Sequence, residues 1–182
     1  MRCTASSVVL FLLLSLSACV PSLHALYTDK EVIFEPSLLG EWIDAKSDSK
    51  STLTFTKVDD KAYKLVYADE EEKLTFIAHL VKLEDKLFLD AKGDSSVDDH
   101  ASALPVHMFF FVPQTTPTLR IRAIDPGWLK GFIEKNPAAI RHEIVDKDVV
   151  LTASTKELQS FVLRHLNTRA AFTDPVDYVR KK

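Results

Sequence analysis

The sequence predicts a mainly β, α+β domain. It would be an antiparallel meander of about eight strands, forming a curved sheet or small barrel, with two covering amphipathic helices. Three observations carry this reading. Apolar and polar residues alternate at period two through much of 51–123, with Thr and aromatics enriched, as half-buried strands require. Short charged or Pro-bounded turns separate these stretches. Beyond residue 125 the apolar period lengthens to that of a helix in two separate places.

The elements follow in order. Segment 51–57 places Leu53 and Phe55 on one face and Thr52, Thr54 and Thr56 on the other. After the turn at 58–61, Tyr63, Leu65 and Tyr67 share one face of a second strand. The acidic run 69–72 is too charged to bury and reads as a turn. Segment 73–83 is apolar on both faces, with Leu74, Phe76, Ala78 and Leu80 against Ile77, Val81 and Leu83, so it either lies under a covering element or bends. A return at 84–86 leads into a strand at 87–90, and 92–105 is the one long loop. Segment 106–112 is the most hydrophobic strand, bordered by Pro105 and Pro113. In 118–123, Leu119 and Ile121 face inward and Arg120 and Arg122 outward.

Asp125 and Pro126 then form a helix start, an N-cap followed by Pro at the first helical position. Trp128, Leu129, Phe132 and Ile133 give the stripe of a helix over 126–136. A further strand is expected at 148–152. Ser154 and Glu157 form a capping box for a second helix over 154–166, with Leu158, Phe161, Val162 and Leu166 on its apolar face. The interior expected from these alternations is Phe55, Leu65, Phe76, Leu89, Met108, Phe110, Leu119, Ile121 and Leu151. Large aromatics favour a filled interior over a cavity.

The domain organisation expected is a signal peptide at 1–18, a tether at 19–37, one globular domain at 38–168 and a polar tail at 169–182. Arg2 precedes an apolar run at 8–16 that is too short to cross a bilayer, which needs roughly 20 apolar residues. Removing 1–18 takes away Arg2, one of 23 bases, and leaves 22 bases against 26 acids. This mild acidity, with no Lys/Arg stripe, argues against a nucleic-acid partner and against electrostatic attachment to anionic lipid. The cysteines are Cys3 and Cys19, so a mature domain would rely on its core rather than on disulfides.

Motif searches exclude several chemistries. Four glycines beyond residue 19 cannot build a phosphate cradle, and there is no Gly-x-Ser-x-Gly elbow. His142-Glu143 opens like a zinc-protease motif, but Asp146 stands where the second His belongs. Asp94, Asp98, Asp99 and His100 share the long loop and are weak candidates for holding a divalent cation; a solvated acidic loop is the simpler reading, so no metal or other cofactor is expected. His79 and His107 lie in strands and could face each other across a sheet.

Leu16-Ser17-Ala18-Cys19 resembles the lipobox of bacterial lipoproteins, over the first nineteen residues only. The resemblance implies cleavage before Cys19 and acylation of that residue, palmitate included. It implies a bacterial envelope protein anchored to the membrane through its N-terminal lipid. Val20 follows the Cys; an Asp there would resemble an inner-membrane retention signal, so the outer membrane, facing the periplasm, is the expected place in a cell with two membranes. Gly40-Glu41-Trp42 resembles the Gly-x-Trp at the first barrel strand of lipocalins, whose architecture fits the strand count, although the helix at 126–136 departs from it.

The expectation is a non-enzymatic envelope lipoprotein, a binding or interaction module for a protein partner or a small apolar ligand. The alternatives are a lipocalin-like carrier of such a ligand and a hydrolase-like enzyme with a site near His107 and the 92–105 loop.

Overall fold

The computed structural model describes residues 19–46, 50–94 and 106–181. In chain order the elements are β1 (Pro21–Ser22), β2 (Val32–Ile33), β3 (Gly40–Asp44), β4 (Thr52–Lys57), β5 (Tyr63–Ala68), β6 (Lys73–Leu83), β7 (Lys86–Gly93), β8 (His107–Gln114), β9 (Thr118–Ala123), α1 (Pro126–Lys135), β10 (His142–Val145), β11 (Asp148–Leu151), α2 (Thr155–His165) and β12 (Val176–Arg180).

Strands β3 to β9 pair with their sequence neighbours in an antiparallel meander. β12 then pairs with both β9 and β3, closing an eight-stranded barrel. Closure leaves no unpaired edge in the ring. The turns follow local chemistry. Asp69 Oδ1 accepts from the backbone N–H of Glu71 and Glu72, both at 2.9 Å, and ends β5. Asp125 Oδ1 accepts from Trp128 N at 2.6 Å and caps α1, and the Glu157 carboxylate accepts from Ser154 N at 2.9 Å to start α2.

The alternation makes two cores, one on each side of the barrel wall. Inside lie Trp42, Leu53, Phe55, Tyr63, Leu65, Leu80, Leu89, Val112, Leu119 and Tyr178. Outside, Val81, Phe88 and Phe109 pack under α1 and α2 through Leu129, Ile133, Leu158, Phe161 and Val162. This is why 73–83 is apolar on both faces: one side of β6 meets the barrel interior and the other meets the covering layer.

Several expectations are corrected. The stretch 19–37 is built into the domain rather than acting as a tether. β1 pairs antiparallel with β8 and parallel with β11, and β2 pairs with β6. β9 ends opposite Phe110, so β1 takes His107 and Met108, which β9 leaves unpaired. Val20, Ser22 and Leu26 are buried. The polar tail at 169–182 contains β12, whose inward Tyr178 joins the interior core. Pro113 lies within β8 rather than at its border, because the β8–β9 register shifts between Phe111 and Gln114 and relieves the missing N–H. β10, unforeseen in the sequence, pairs with β11. Of the expected interior, Leu151 packs in the outer core instead, and Met108 is half-buried at the start of β8.

Candidate functional site

The barrel has two unlike ends. One receives the start of β3 and the end of β12, and it is plugged. Pro36–Leu38 forms a single 3-10 turn across it, with Leu38 only 1% exposed. Trp42 Nε1 donates to the Leu38 carbonyl at 2.8 Å. Tyr63 Oη accepts from Glu35 N at 2.6 Å, and its ring stacks on Phe34 at 4.8 Å. The Arg180 guanidinium lies 4.5 Å from the centre of the Trp42 ring and donates to the carbonyls of Leu39 and Ser37. Gly40 is required by this latch. Its φ is +117°, and a Cβ there would stand 2.6 Å from Arg180 Nη1. The Gly-x-Trp pair noted in the sequence thus has a local physical cause: the Gly makes room for the Arg that covers the Trp.

The opposite end receives the β3–β4, β5–β6 and β7–β8 connections. Its inward side chains are Tyr67 on β5, Phe76 on β6, Phe110 on β8, Ile121 on β9 and Val176 on β12, all half-buried and all resting on the interior core. Beneath them Trp42, Phe55, Tyr63, Leu80, Leu89 and Leu119 are at most 2% exposed and form a packed floor. Among the described residues these side chains form an apolar layer at the mouth, above a filled base, to which the expected interior residues Phe76, Phe110 and Ile121 belong; residues 47–49 and 95–105 of the connections at this end lie outside the described residues. The Tyr67 hydroxyl donates to Asp69 Oδ2 at 2.6 Å on the rim; burial, with that carboxylate, pushes the phenol well above its ordinary range.

The residues singled out in the sequence fall in three places. Asp94 stands at the mouth, its N–H donating to the Thr75 carbonyl at 3.0 Å. Asp98, Asp99 and His100, with most of the 92–105 loop, lie outside the described residues. Among the described residues no group of three or more His, Cys, Asp or Glu side chains could hold a metal. Cys19 is half-buried two residues ahead of β1, and burial pushes its thiol up.

His79 and His107 do share one face, on the outer wall, with Asp90 beside both. Asp90 is 1% exposed; Oδ1 meets His107 Nδ1 at 2.6 Å and Oδ2 accepts from Leu26 N at 2.7 Å. Tyr27 lies over His79 with ring centres 4.5 Å apart. Burial lowers the His79 pKa against the opposing pull of Asp90, and it raises the Tyr27 phenol to about 12. Ser22, opposite His107 in the β1–β8 ladder, donates its hydroxyl to the His24 carbonyl at 2.8 Å. The carboxylate and the imidazole are therefore paired as a general base would need. The neighbouring hydroxyl is engaged elsewhere, and the cluster fastens the N-terminal segment to the barrel wall. Asp90 gave no signal in the sequence: a lone Asp ending an apolar run reads as a strand terminus.

Among the described residues no helix is long and apolar enough to cross a membrane. No family model, no curated protein and no solved structure matches this chain.

Proposed function

We propose that this chain is a non-enzymatic, lipid-anchored envelope protein whose barrel takes a small apolar ligand at its mouth. The observation that carries the reading is the asymmetry of the ends: one latched shut by Arg180, Trp42 and the 36–38 turn, the other lined by half-buried Tyr67, Phe76, Phe110, Ile121 and Val176. Ligand sites favour the mouths of barrels, with apolar walls and a few polar groups at the rim. The filled floor keeps the ligand at the mouth rather than inside the barrel. The resemblance of Leu16-Ser17-Ala18-Cys19 to a lipobox supports anchoring through an acylated Cys19 on the periplasmic side of an outer membrane.

Titration with N-phenyl-1-naphthylamine, an apolar dye that brightens on leaving water, tests the ligand reading. Saturable binding at one dye per protein is expected, weakened about tenfold or more in Phe110→Asp with its melting transition retained. No saturable binding, or binding untouched by Phe110→Asp and Phe76→Asp, overturns it. Intact mass of the membrane-extracted protein tests the anchor: an acylated Cys19 is expected, and an unacylated N-terminus contradicts it.

A further inference from the structure

Three features converge on the mouth end of the barrel. The N-terminal segment begins there, since β1 pairs with the first two residues of β8. α1 begins there too, three residues after β9 ends. α2 brings its last turn to the same place, with His165 packed 5.1 Å from Trp128 and 4.8 Å from Phe132.

The chemistry of this corner differs from the rest of the chain. Trp128, Phe132 and His165 are all only half-buried, a group of rings left partly in water where two helices meet. Exposed Arg164 and Arg169 stand in sequence beside His165, while exposed Lys130 lies on the other side of α1 from Trp128 and Phe132. Across α1 with its Asp125 cap, α2 and the 169–171 turn there are five cations, Lys130, Lys135, Lys156, Arg164 and Arg169, against three anions, Asp125, Glu134 and Glu157; Lys135 and Lys156 stand at the helix ends far from this corner. From Cys19 onward the chain as a whole has 22 bases against 26 acids, so the net acidity conceals a basic helical layer.

We propose that this corner rests on the surface of an anionic bilayer, with Trp128 and Phe132 at the headgroup level and Arg164 and Arg169 facing lipid phosphates. Trp favours the membrane–water boundary, where an apolar ring and a polar N–H are both accommodated. Each Lys or Arg close to an anionic surface strengthens attachment about fivefold. The acidic turn at 69–72 lies on the opposite rim, because β5 is across the ring from β9. Repulsion lifts that rim, so the barrel sits tilted, with the β8–β9 side of its mouth against the lipid. The inference rests on the proposed anchored, ligand-binding reading for its purpose: it would present the mouth to molecules leaving the bilayer.

The test uses residues 19–182 carrying Cys19→Ser, so that no acyl chain contributes. Sedimentation with phosphatidylcholine–phosphatidylglycerol vesicles should carry the protein down at low salt, and pure phosphatidylcholine should not. The double charge reversal Arg164→Glu and Arg169→Glu should lower partitioning more than twentyfold with the melting transition unchanged. Vesicles of brominated phosphatidylcholine with the same phosphatidylglycerol should quench Trp128, while Trp42 stays shielded inside the barrel. Equal partitioning on both lipid mixtures, indifference to the charge reversal, or unquenched Trp128 overturns the proposal, even where mass spectrometry finds Cys19 acylated and the dye binds. Self-association abolished by Trp128→Asp overturns it too, in favour of a second copy on this face.

Discussion

At the plugged end Leu38, Phe55 and Tyr63 are sealed within the barrel, while at the mouth Phe76, Phe110 and Ile121 keep part of their surface in solvent. The two sets come from the same strands and the same alternation. What separates them is a few residues outside the meander: the 36–38 turn, which lids one end, and Arg180, which pins it from the far end of the chain. The difference teaches that one core can be sealed at one end and left partly exposed at the other; on the proposed reading, the exposed end is where ligand binds. Changes at the plug should cost folding, and changes at the mouth should cost ligand.

The largest effects are expected where burial is complete. Trp42→Ala removes a side chain that is 1% exposed along with its bond to the Leu38 carbonyl, and it should destabilise by about 3–5 kcal/mol in chemical denaturation. Phe161→Ala in the outer core should cost about the same, since that ring is 3% exposed between α1 and the barrel wall. A loss below about 1 kcal/mol would mean α2 hangs free of the barrel.

Arg180→Ala should cost about 1–2 kcal/mol, less than Trp42→Ala, because the guanidinium is exposed and loses two carbonyl bonds and a ring contact. Gly40→Ala should destabilise on its own, through its positive φ and the collision with Arg180, and should be partly relieved in the Arg180→Ala background. Simple additivity of the two would break the latch account.

Acidification gives a third comparison. Burial depresses the His79 pKa in the folded state, so the unfolded chain binds a proton first as pH falls. His79 therefore contributes stability fully present above its unfolded value of about 6.5 and lost as pH falls through its lower folded value. The melting temperature should be flat from weakly alkaline to neutral pH and then fall, with a shallower fall in His79→Gln. A residual slope is expected from His165, depressed in the same direction by burial and Arg164.

Changes at the mouth should cost less stability than those at the plug or in the outer core. Phe110→Ala should cost about 1–2 kcal/mol, because the ring keeps part of its surface in solvent, yet it should remove most dye binding.

Much of this architecture was legible. The seven strands read from 51–123 and 148–152, and both helices with their caps, follow from periodicity and capping chemistry, which act over a few residues. What was missed depends on distant partners. β12 is a five-residue strand after Pro175 in a polar stretch, and only its position between β9 and β3 makes it part of the barrel. The two-residue strands β1 and β2 are too short to show any period. Phe76, Phe110 and Ile121 were recognised as interior residues, but periodicity gives the face of a strand and not the distance along it. Whether an inward ring meets the floor or the mouth was therefore closed to the sequence. Arg180 was invisible for the same reason: nothing local says that a Lys/Arg-rich end folds back over Trp42.

The central claim is that one end of the barrel binds and the other only holds. The most direct measurement is amide chemical-shift mapping of the isotopically labelled protein during titration with the dye. Shifts confined to Tyr67, Phe76, Phe110, Ile121, Val176 and their strand neighbours, with Leu38, Trp42 and Arg180 unmoved, are the predicted result. Shifts centred on the 36–38 turn, or spread over α1 and α2 with the mouth silent, would contradict it.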